Sequence, residues 1–397
     1  MKVCLVSALP PFRSGVSLYS VGLLSGFERI GPSFPVVILA NKCADKPVGK
    51  SQNIKLAKTW TKGPGYLFQI VSAVAKEKPK LVHIQHEFFL YGGIVSSAVF
   101  PLLLFLLRLM GIKVVVTMHG VIPRKVARKQ FADAFFIPAN FIALKVGLPV
   151  ITMLISANAN AIVVHDKSAK NTLHEDYGVA PQKINVIPHG IGLPNLEPLR
   201  SQRVRENTVL FFGNITPSKG LDTLIAAFEH VRVPNAKLII AGGPHPRGNN
   251  YFQQIMRSVR SSSTSDRITM TGYIPDERIH SLFEECSLAV FPYTFSVSSS
   301  GGLSFALQHR KPVIVTDLPT FTQIITDDLN GLVVPPEDSR ALTSAIERIL
   351  LDHDLRNLIS NGIMKSLSYL TWPAIAKETS ECYRVLLTPT NKGSSHV

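Results

Sequence analysis

The chain has 397 residues, of which 46% are hydrophobic and 17% are charged. This composition supports two or three globular domains with full cores, and it excludes a peptide, a collagen or a disordered protein. The net charge of +15 is uneven, because residues 1–200 contain 23 Lys and Arg against 9 Asp and Glu. A basic first half favours an anionic partner, whether a membrane surface, a nucleic acid or an acidic substrate.

The cysteines and apolar segments favour a cytoplasmic protein. The four cysteines are too few for a disulfide framework and too widely spaced for a metal knuckle, so we expect a reducing compartment. The opening MKVCLVSALPP is too short for the apolar core of a signal peptide and predicts a buried strand. Two apolar stretches, 94–110 and 135–155, approach the length of a membrane span, but prolines and cations interrupt them, which favours core helices.

Short β-branched runs alternate with helical patterns along the whole chain. Near-continuous apolar runs are typical of parallel strands covered on both faces, so the pattern predicts two doubly wound α/β domains. A Pro-, Gly- and charge-rich segment at 188–207 separates the two series and predicts a linker. The ten predicted strands are VCLVS, PVVILA, LVHIQH, VVVTMH, AIVVHD, TVLFFG, KLIIAGG, RITMTGY, LAVFPY and PVIVTD.

Ligands of doubly wound domains lie beyond the carboxyl ends of the strands, so the residues that follow each strand are the candidates. In the second half, the strand TVLFFG is followed by GNITPSKG and an amphipathic helix, which places Lys219 near a helix start. A cation in that position suits a phosphate. The alternative is a solvated loop lysine, which loop composition alone favours.

A second candidate anion site lies in residues 291–317, which predict a strand, a Ser-rich loop, a helix and another strand. Ser298, Ser299 and Ser300 are candidate N-caps, and Gly301 and Gly302 would let a ligand approach the first turn of the helix. A plain serine cap that binds no ligand is the alternative.

Two candidates in the first half also follow strands. A glycine loop at residues 10–24 places Arg13 and Gly15 before a helical pattern, although it does not match GxGxxG. His119 ends the strand VVVTMH, where it could hydrogen-bond a substrate hydroxyl. His83 and His86 would point to opposite faces of one strand, so we expect no shared metal. The chain contains no GxSxG, HExxH or Walker sequence, which disfavours hydrolases and ATPases.

Taken in order, the motifs of this chain resemble the retaining glycosyltransferases of the GT-B fold, in particular glycosyltransferase family 4. The similar segments are the first glycine loop, VVTMHG, INVIPHGI, GNITPSKGLDTLIAAF, KLIIAGGP, ITMTGYIPDERI, LAVFPY, DLNGLVVPPED and TWPAIAKETSECYRVLL. The resemblance implies two Rossmann-like domains that face each other across a cleft. An acceptor domain would cover 1–190, a linker 191–207, a nucleotide-sugar domain 208–370, and a helix at 371–390 would cross back to the first domain.

The resemblance also implies roles for single residues in transferring a sugar from a GDP- or UDP-sugar to a glycan or lipid-linked acceptor. Lys219 would pair with the donor diphosphate, and His119 would touch the sugar. Gly15 would let the first loop close over the phosphate. The transfer reaction would need no metal and no other cofactor. The distal phosphate would meet the helix start formed by Ser299, Ser300, Gly301, Gly302 and Leu303.

The chain departs from the family pattern at the donor site. The arginine that usually accompanies the lysine is Asn214 here, and the two usual glutamates fall at Val297 and Phe305. A subset of the family carries SxSGxxLxxAL instead, which SVSSSGGLSFAL resembles. These departures leave open an alternative, a catalytically inactive GT-B protein that binds a nucleotide or a glycan.

A second alternative places the main function on a membrane. The segment 121–145 mixes cations with phenylalanines, which suits an anionic lipid surface, and this is compatible with a lipid-linked acceptor at the cytoplasmic membrane face. We expect no nucleic-acid partner, because no recognition motif is present. The cations of this predicted patch are Arg124, Lys125, Arg128 and Lys129.

Overall fold

The structure is a computed structural model that describes residues 2–12, 14–45, 53–125, 132, 141–192, 207–245, 248–296 and 300–388. The chain divides into two compact units. The first contains residues 1–128, 139–190 and 372–397, and the second contains residues 129–138 and 191–371. Most of the predicted linker at 191–207 lies outside the described residues.

The first unit is built on a seven-stranded sheet in which every pair of neighbours is parallel. Its strands are β1 (Val3–Ser7), β2 (Val36–Asn41), β3 (Ile54–Trp60), β4 (Leu81–His86), β5 (Lys113–Met118), β6 (Ala161–Val164) and β7 (Ile184–Val186). They lie in the order β3-β2-β1-β4-β5-β6-β7. The helices of this unit before residue 190 are α1 (Gly15–Ile30), α2 (Tyr66–Glu77), α3 (Ile94–Leu109), α4 (Phe141–Asn158) and α5 (Lys167–Glu175).

The second unit repeats this plan with a six-stranded parallel sheet. Its strands are β8 (Thr208–Phe212), β9 (Lys237–Ala241), β10 (Ile268–Gly272), β11 (Leu288–Phe291), β12 (Val313–Thr316) and β13 (Leu332–Val334), in the order β10-β9-β8-β11-β12-β13. Its helices are α6 (Leu221–Glu229), α7 (Asn249–Ser261), α8 (Asp276–Glu285), α9 (Gly301–Gln308), α10 (Pro319–Thr322), α11 (Ser339–Leu351) and α12 (His353–Ser366). The final helix, α13 (Trp372–Leu387), belongs to the first unit. Two parallel-sheet α/β units confirm the predicted fold class.

The ten predicted strands are all present, but the described residues contain three more, β3, β7 and β13. Each of the three lies at an edge of its sheet. Edge strands are covered less completely. In β3 every residue before Trp60 is exposed or partly buried, while β7 and β13 are only three residues long. The search for continuous apolar runs therefore missed them, because that pattern belongs to strands buried on both faces.

The two long apolar stretches, predicted to be core helices, contain α3 and most of α4. Within the described ranges, no helix is both long and apolar enough to cross a membrane. The inner side of α3 packs on the sheet through Phe100, Leu103, Leu104 and Leu107. Burial of these side chains against β4 and β5 accounts for the apolar character of this helix.

Both sheets reverse their strand order between two central strands, at β1 and β4 in the first unit and at β8 and β11 in the second. In open α/β sheets, ligands bind outside the carboxyl ends of the strands at such a reversal. The fold therefore directs attention to the loops after β8 and β11, and to those after β1 and β4.

The helices α1 and α13 pack closely because α1 presents glycines to Trp372. A Cβ atom on Gly22 would lie 2.1 Å from the Trp372 ring, and one on Gly26 would lie 2.2 Å from the Trp372 carbonyl oxygen. The indole also approaches Gly190, where an added Cβ would lie 2.4 Å from the ring. This contact brings the last helix onto the first unit.

We expect Gly26→Ala to destabilise the protein, because the added methyl group meets backbone and the helices must separate. Overpacking of this kind costs about 1–3 kcal/mol. Gly147→Ala in α4 is a matched control, since its added methyl group would meet no atom within 4 Å and alanine favours a helix by about 1 kcal/mol. Urea unfolding of the two variants measures the difference, and equal stability would contradict the packing described here.

Candidate functional site

Two loops meet at the strand-order reversal of the second sheet. The loop after β8 reaches the loop after β11 at Gly220, whose φ of 67° is left-handed. A Cβ atom at Gly220 would lie 1.8 Å from the Pro292 carbonyl oxygen, so only glycine allows this approach. The backbone N–H of Thr294 donates to the Ser218 carbonyl at 3.1 Å and fixes the two loops together.

Tyr293 joins the two candidate anion sites of the second unit. The Lys219 Nζ lies 3.6 Å from the centre of the Tyr293 ring, a cation–π contact. The hydroxyl of the same tyrosine lies 2.9 Å from Ser300 Oγ. Tyr293 is buried, and its carbonyl accepts a hydrogen bond from Thr316 at 2.7 Å, so the ring is a fixed support. Lys219 and the start of α9 therefore contact the same tyrosine, the lysine at its ring face and the helix cap at its hydroxyl.

The start of α9 is open to a ligand. Ser300 is the N-cap residue, and its hydroxyl accepts from the Leu303 N–H at 3.3 Å. The N–H groups of Gly301 and Gly302 belong to the first turn, which has no intrahelical acceptors. Gly301 is exposed and a Cβ there would meet no atom within 4 Å, whereas one on Gly302 would lie 2.7 Å from the Phe212 carbonyl oxygen. The helix start is therefore held tightly against β8 on one side and left free on the other.

The electrostatics of this site are positive. Lys219 is partly buried, and among the described residues it has no carboxylate partner. The positive end of the α9 dipole adds to its charge. Asn214 is exposed at the beginning of the same loop and offers a neutral amide where the family has a cation. Ser299, together with Val297 and Ser298, lies outside the described residues.

Phe305 occupies one of the positions where the family carries a glutamate, and it forms part of an aromatic cluster. Its ring lies 6.0 Å from Phe212 and 5.9 Å from Phe283, in stacked orientation with the latter. His280 also packs edge-on against Phe305 at 5.8 Å. This position therefore contributes an apolar ring face, with no acceptor for a sugar hydroxyl.

In the first unit, His119 follows β5 directly, at the carboxyl end of the strand, as the sequence suggests. It is nevertheless buried, with 8% of its surface exposed, and it packs against Tyr19 and His165. His119 therefore combines a position at the end of a strand with burial. The reason is that α1 and the loop after β6 cover the end of the strand with Tyr19 and His165.

A chain of hydrogen bonds runs through this buried region. His165 Nδ1 lies 3.0 Å from the Ile187 carbonyl oxygen, which can only accept, so this nitrogen carries the proton. His165 Nε2 lies 3.1 Å from His119 Nδ1, and His119 Nε2 lies 2.8 Å from Gln85 Oε1. His83 lies further along, 2.6 Å from both Thr117 Oγ1 and the Tyr383 hydroxyl.

Burial keeps these histidines neutral, and neutrality determines where the protons lie. Burial lowers the pKa of His119 well below its usual value and that of His165 to about 4. With its proton on Nδ1, His165 accepts at Nε2, so His119 must donate from Nδ1 and accept at Nε2. The Gln85 amide must then be rotated by a half-turn, so that its NH2 group rather than Oε1 donates to His119 Nε2. A sugar hydroxyl that bonds to His119 therefore has to replace Gln85 or His165.

Gly15, Arg124 and Lys125 are the other predicted residues of the first unit that the structure describes. Gly15 is the first residue of α1 and is exposed, next to the N-cap Ser14, whose hydroxyl accepts from Ser17 N–H at 3.1 Å. Arg124 and Lys125 are exposed. Arg13, Arg128 and Lys129 lie outside the described residues.

The described residues contain no group of three or more His, Cys, Asp or Glu that could hold a metal ion. His83 contacts Tyr383, whereas His86 lies against Phe100 at 4.4 Å, so the two residues have different neighbours. The expectation of a metal-free reaction remains a prediction.

Sequence reasoning missed Tyr293, Gln85, His165 and His189. A signal was present for three of them, since Tyr293 follows β11 within FPY, and the histidines follow β6 and β7 within VVHD and VIPHG. These three share the position after a strand with the residues that were selected, whereas Gln85 lies within β4. Their contacts to Lys219, His119 and Trp372 could not be deduced without the packing.

Two family models match the chain in succession. The model described as "Glycosyltransferase Family 4" matches residues 14–193, and the one described as "Glycosyl transferases group 1" matches residues 199–365. The first match lies largely in the first unit and the second match within the second unit.

Two relatives that match by sequence have names that denote glycosyltransferases. An uncharacterized glycosyltransferase of Methanocaldococcus jannaschii is 25% identical over 57% of this chain and 60% of its own length. The O-antigen chain mannosyltransferase C of Escherichia coli is 30% identical over 44% of this chain and 47% of its own length. The matched regions thus span about half of these curated relatives.

Solved structures resemble the chain over nearly its full length. Sucrose-phosphate synthase from Thermosynechococcus elongatus has a TM-score of 0.75 at 19% identity, covering 97% of this chain and 99% of that structure. Anabaena HepE in complex with UDP-glucose has a TM-score of 0.72 at 14% identity, covering 97% and 100%. At these identities the likeness establishes the fold.

We expect the first unit to lose stability as the pH falls from about 6.5 towards 4. Burial lowers the pKa of His165 to about 4, and that of His83 and His189 to about 3, from the ordinary 6.5. In this window the unfolded chain binds more protons than the folded chain, so the free energy of unfolding decreases as the pH falls. Glu87 has the opposite effect, because burial raises its pKa from 4.5 to about 7 and the folded protein therefore gains stability from it as the pH falls. The several histidines together outweigh this single carboxyl group.

Urea unfolding at pH 7 and at pH 5, followed by circular dichroism, measures this dependence. His165→Gln should reduce the slope with pH, whereas His230→Gln, which changes an exposed histidine of the second unit, serves as the matched control. Equal stability at the two pH values would refute the assignment of neutral histidines.

Proposed function

We propose that this chain, a glycosyltransferase of the GT-B fold, transfers a sugar from a nucleotide-sugar to a glycan or lipid-linked acceptor with retention at the anomeric carbon. The second unit would hold a GDP- or UDP-sugar, and the first unit would hold the acceptor. HepE is solved with UDP-glucose, which supports a nucleotide-sugar donor. Free cysteines, including the exposed Cys43, agree with a reducing location such as the cytoplasm.

The observation that carries the proposal is the pairing of Lys219 with the start of α9 through Tyr293. The ammonium group lies 3.6 Å from the ring centre, and the ring hydroxyl lies 2.9 Å from the N-cap Ser300. A diphosphate is long enough to contact both a cation and a helix start that are separated by one side chain. Both features are fixed in the protein, so they can stabilise charge without rearranging as it develops.

In the proposed step, the bond between the anomeric carbon and the distal phosphate oxygen breaks while the acceptor oxygen bonds to that carbon on the same face. The acceptor proton passes to the released phosphate oxygen, which leaves as part of the nucleoside diphosphate. Lys219 and the N–H groups of Gly301 and Gly302 would neutralise the charge that develops on the diphosphate. These groups act without a metal.

The nucleoside would be held by different chemistry from that of the family. Asn214 supplies an amide to the diphosphate in place of a cation, which would weaken the site. Phe305 supplies a ring in the position of the ribose-binding glutamate, so contacts with this side chain are apolar. Recognition of the nucleoside would then depend on backbone groups and on stacking.

We expect Lys219→Ala to lower kcat about 10²–10³-fold, the typical effect of removing one preorganised charge-stabilising group. Lys237→Ala is the control, because Lys237 is exposed at the amino end of β9, away from the carboxyl ends of the strands. Tyr293→Phe should cause a smaller loss, since it removes the bond to Ser300 and keeps the ring beneath Lys219. Hydrolysis and transfer are measured with a panel of UDP-, GDP- and ADP-sugars.

A thermal-shift titration with UDP, GDP and ADP accompanies these assays, because a ligand that binds only the folded state raises its apparent stability. Full activity of Lys219→Ala would contradict the assigned site. If the wild-type protein binds a nucleotide but neither hydrolyses nor transfers from any nucleotide-sugar, the inactive GT-B alternative replaces the proposal. Asn214 and Phe305 are the residues that favour this alternative.

We also propose that the first unit contacts an anionic membrane, through a surface that we call the α3–α4 face. The two helices pack against each other on one side of the sheet and leave large apolar side chains exposed on the outside. Neither helix contains an acidic residue. The exposed apolar residues of this face are Ile94, Val95, Leu102, Phe105, Leu109, Val146, Val150, Met153 and Leu154.

Cations flank the apolar side chains. Arg108 donates to the Ala157 carbonyl at 3.0 Å, and Arg124 contacts Met153 Sδ at 3.3 Å, which brings both guanidinium groups to α4. Lys145 is exposed on the same helix. An apolar surface bordered by cations matches anionic lipid, whereas a second copy of the chain would bring like charges together. Of the predicted cations, Arg124 thus contacts this face through Met153.

We expect Leu109→Glu to weaken sedimentation with anionic phosphatidylglycerol vesicles several-fold. Leu351→Glu is the matched control, since both leucines end a helix and are similarly exposed, 68% and 65%. Binding should also decrease at high salt, because the electrostatic part is screened. Absence of binding at low salt would exclude membrane contact, and a change from dimer to monomer in Leu109→Glu would assign the face to a second copy.

A further inference from the structure

The first unit contains a cavity of about 530 Å³ that lies apart from the histidine chain. It is located at the carboxyl ends of neighbouring strands, since Asn41 ends β2, Trp60 ends β3, and these residues are partners in the sheet register. Its size is that of a small-molecule site. The lining residues are Phe12, Asn41, Lys42, Cys43, Trp60, Thr61 and Lys62.

The base of the cavity is rigid. The buried Trp60 indole donates to the Leu39 carbonyl at 3.1 Å, and the Phe12 ring packs edge-on against it at 6.1 Å. Asn41 is buried as well, where it accepts from the Leu9 N–H at 2.7 Å and donates to Cys43 Sγ at 3.1 Å. The base therefore combines aromatic surface with a fixed amide.

The rim of the cavity is cationic. Lys62 Nζ lies 4.4 Å from the centre of the Phe12 ring, and this cation–π contact holds the ammonium group at the cavity. Lys42 is exposed, and its backbone N–H is fixed by the Trp60 carbonyl at 2.8 Å. None of the described residues that line the cavity is acidic. Two lysines at one cavity, with no carboxylate among its described lining residues, are suited to an anion.

We infer that this cavity binds the phosphate group of a phosphomonoester on the acceptor, so that the acceptor is a sugar phosphate or an alcohol phosphate. The identity of the bound molecule as an acceptor rests on the proposed function, whereas the binding of a phosphate group at this cavity does not. A phosphomonoester carries a charge of about −1.5 to −2 at pH 7, which the two lysines balance, whereas a carboxylate carries only one charge. The aromatic wall would contact the adjoining carbon skeleton.

Cys43 provides a direct test, because it lines the cavity and is the exposed cysteine among four of which the others are buried. We expect millimolar glycerol 3-phosphate or inorganic phosphate to slow the alkylation of Cys43 by N-ethylmaleimide several-fold. Peptide mass spectrometry measures the rate at constant ionic strength. Acetate and glycerol should not slow it.

The variants Lys42→Gln and Lys62→Gln should each reduce this protection. Lys58→Gln, which changes an exposed lysine of β3 that does not line the cavity, should retain it. Absence of protection, equal protection by acetate, or full protection in the Lys42→Gln/Lys62→Gln double variant would overturn the inference. The donor assays with Lys219→Ala are independent of Cys43, so failure here leaves the proposed transfer reaction intact, and failure there leaves this binding site intact.

Discussion

The contact on which the proposed donor site depends is that of Tyr293 with Lys219 and Ser300. A lysine side chain in a loop would normally move freely in solvent, and a helix start would bind an anion only weakly. The buried ring gives both groups one support, with the ammonium group over its face and the helix cap at its hydroxyl. The close approach at Gly220 keeps the two loops in contact, so the backbone and the side chains define the same site.

In the first unit, histidines at the ends of strands are buried and neutral. The hydrogen bonds from Ile187 through His165 and His119 to Gln85 provide each ring nitrogen of His165 and His119 with a partner. Desolvation favours the neutral form, and the carbonyl of Ile187 then determines the direction of every proton along the chain. In contrast to these buried histidines, Lys42 and Lys62 are exposed at the cavity of the same unit.

Much of the architecture could be predicted because buried parallel strands leave a continuous apolar signal. The central strands of both sheets were recognised in this way, and the exceptions, β3, β7 and β13, lie at sheet edges where the signal is weak. Candidate site residues were selected by position after a strand. This rule selected Lys219, Gly301 and His119, but it could not rank them against neighbours such as Tyr293, because position after a strand does not reveal which side chains meet.

The amino-acid sequence by itself determined the two α/β units, the excess of positive charge in the first half, and the loops in which a ligand site could form. These properties depend on local pattern and composition, which the order of residues contains directly. Only the tertiary structure decided that Lys219 shares a ring with Ser300, that His119 is buried, and that Lys42 and Lys62 border one cavity. Such contacts join residues that are distant in the chain, and they arise from the packing of loops whose geometry no local pattern encodes.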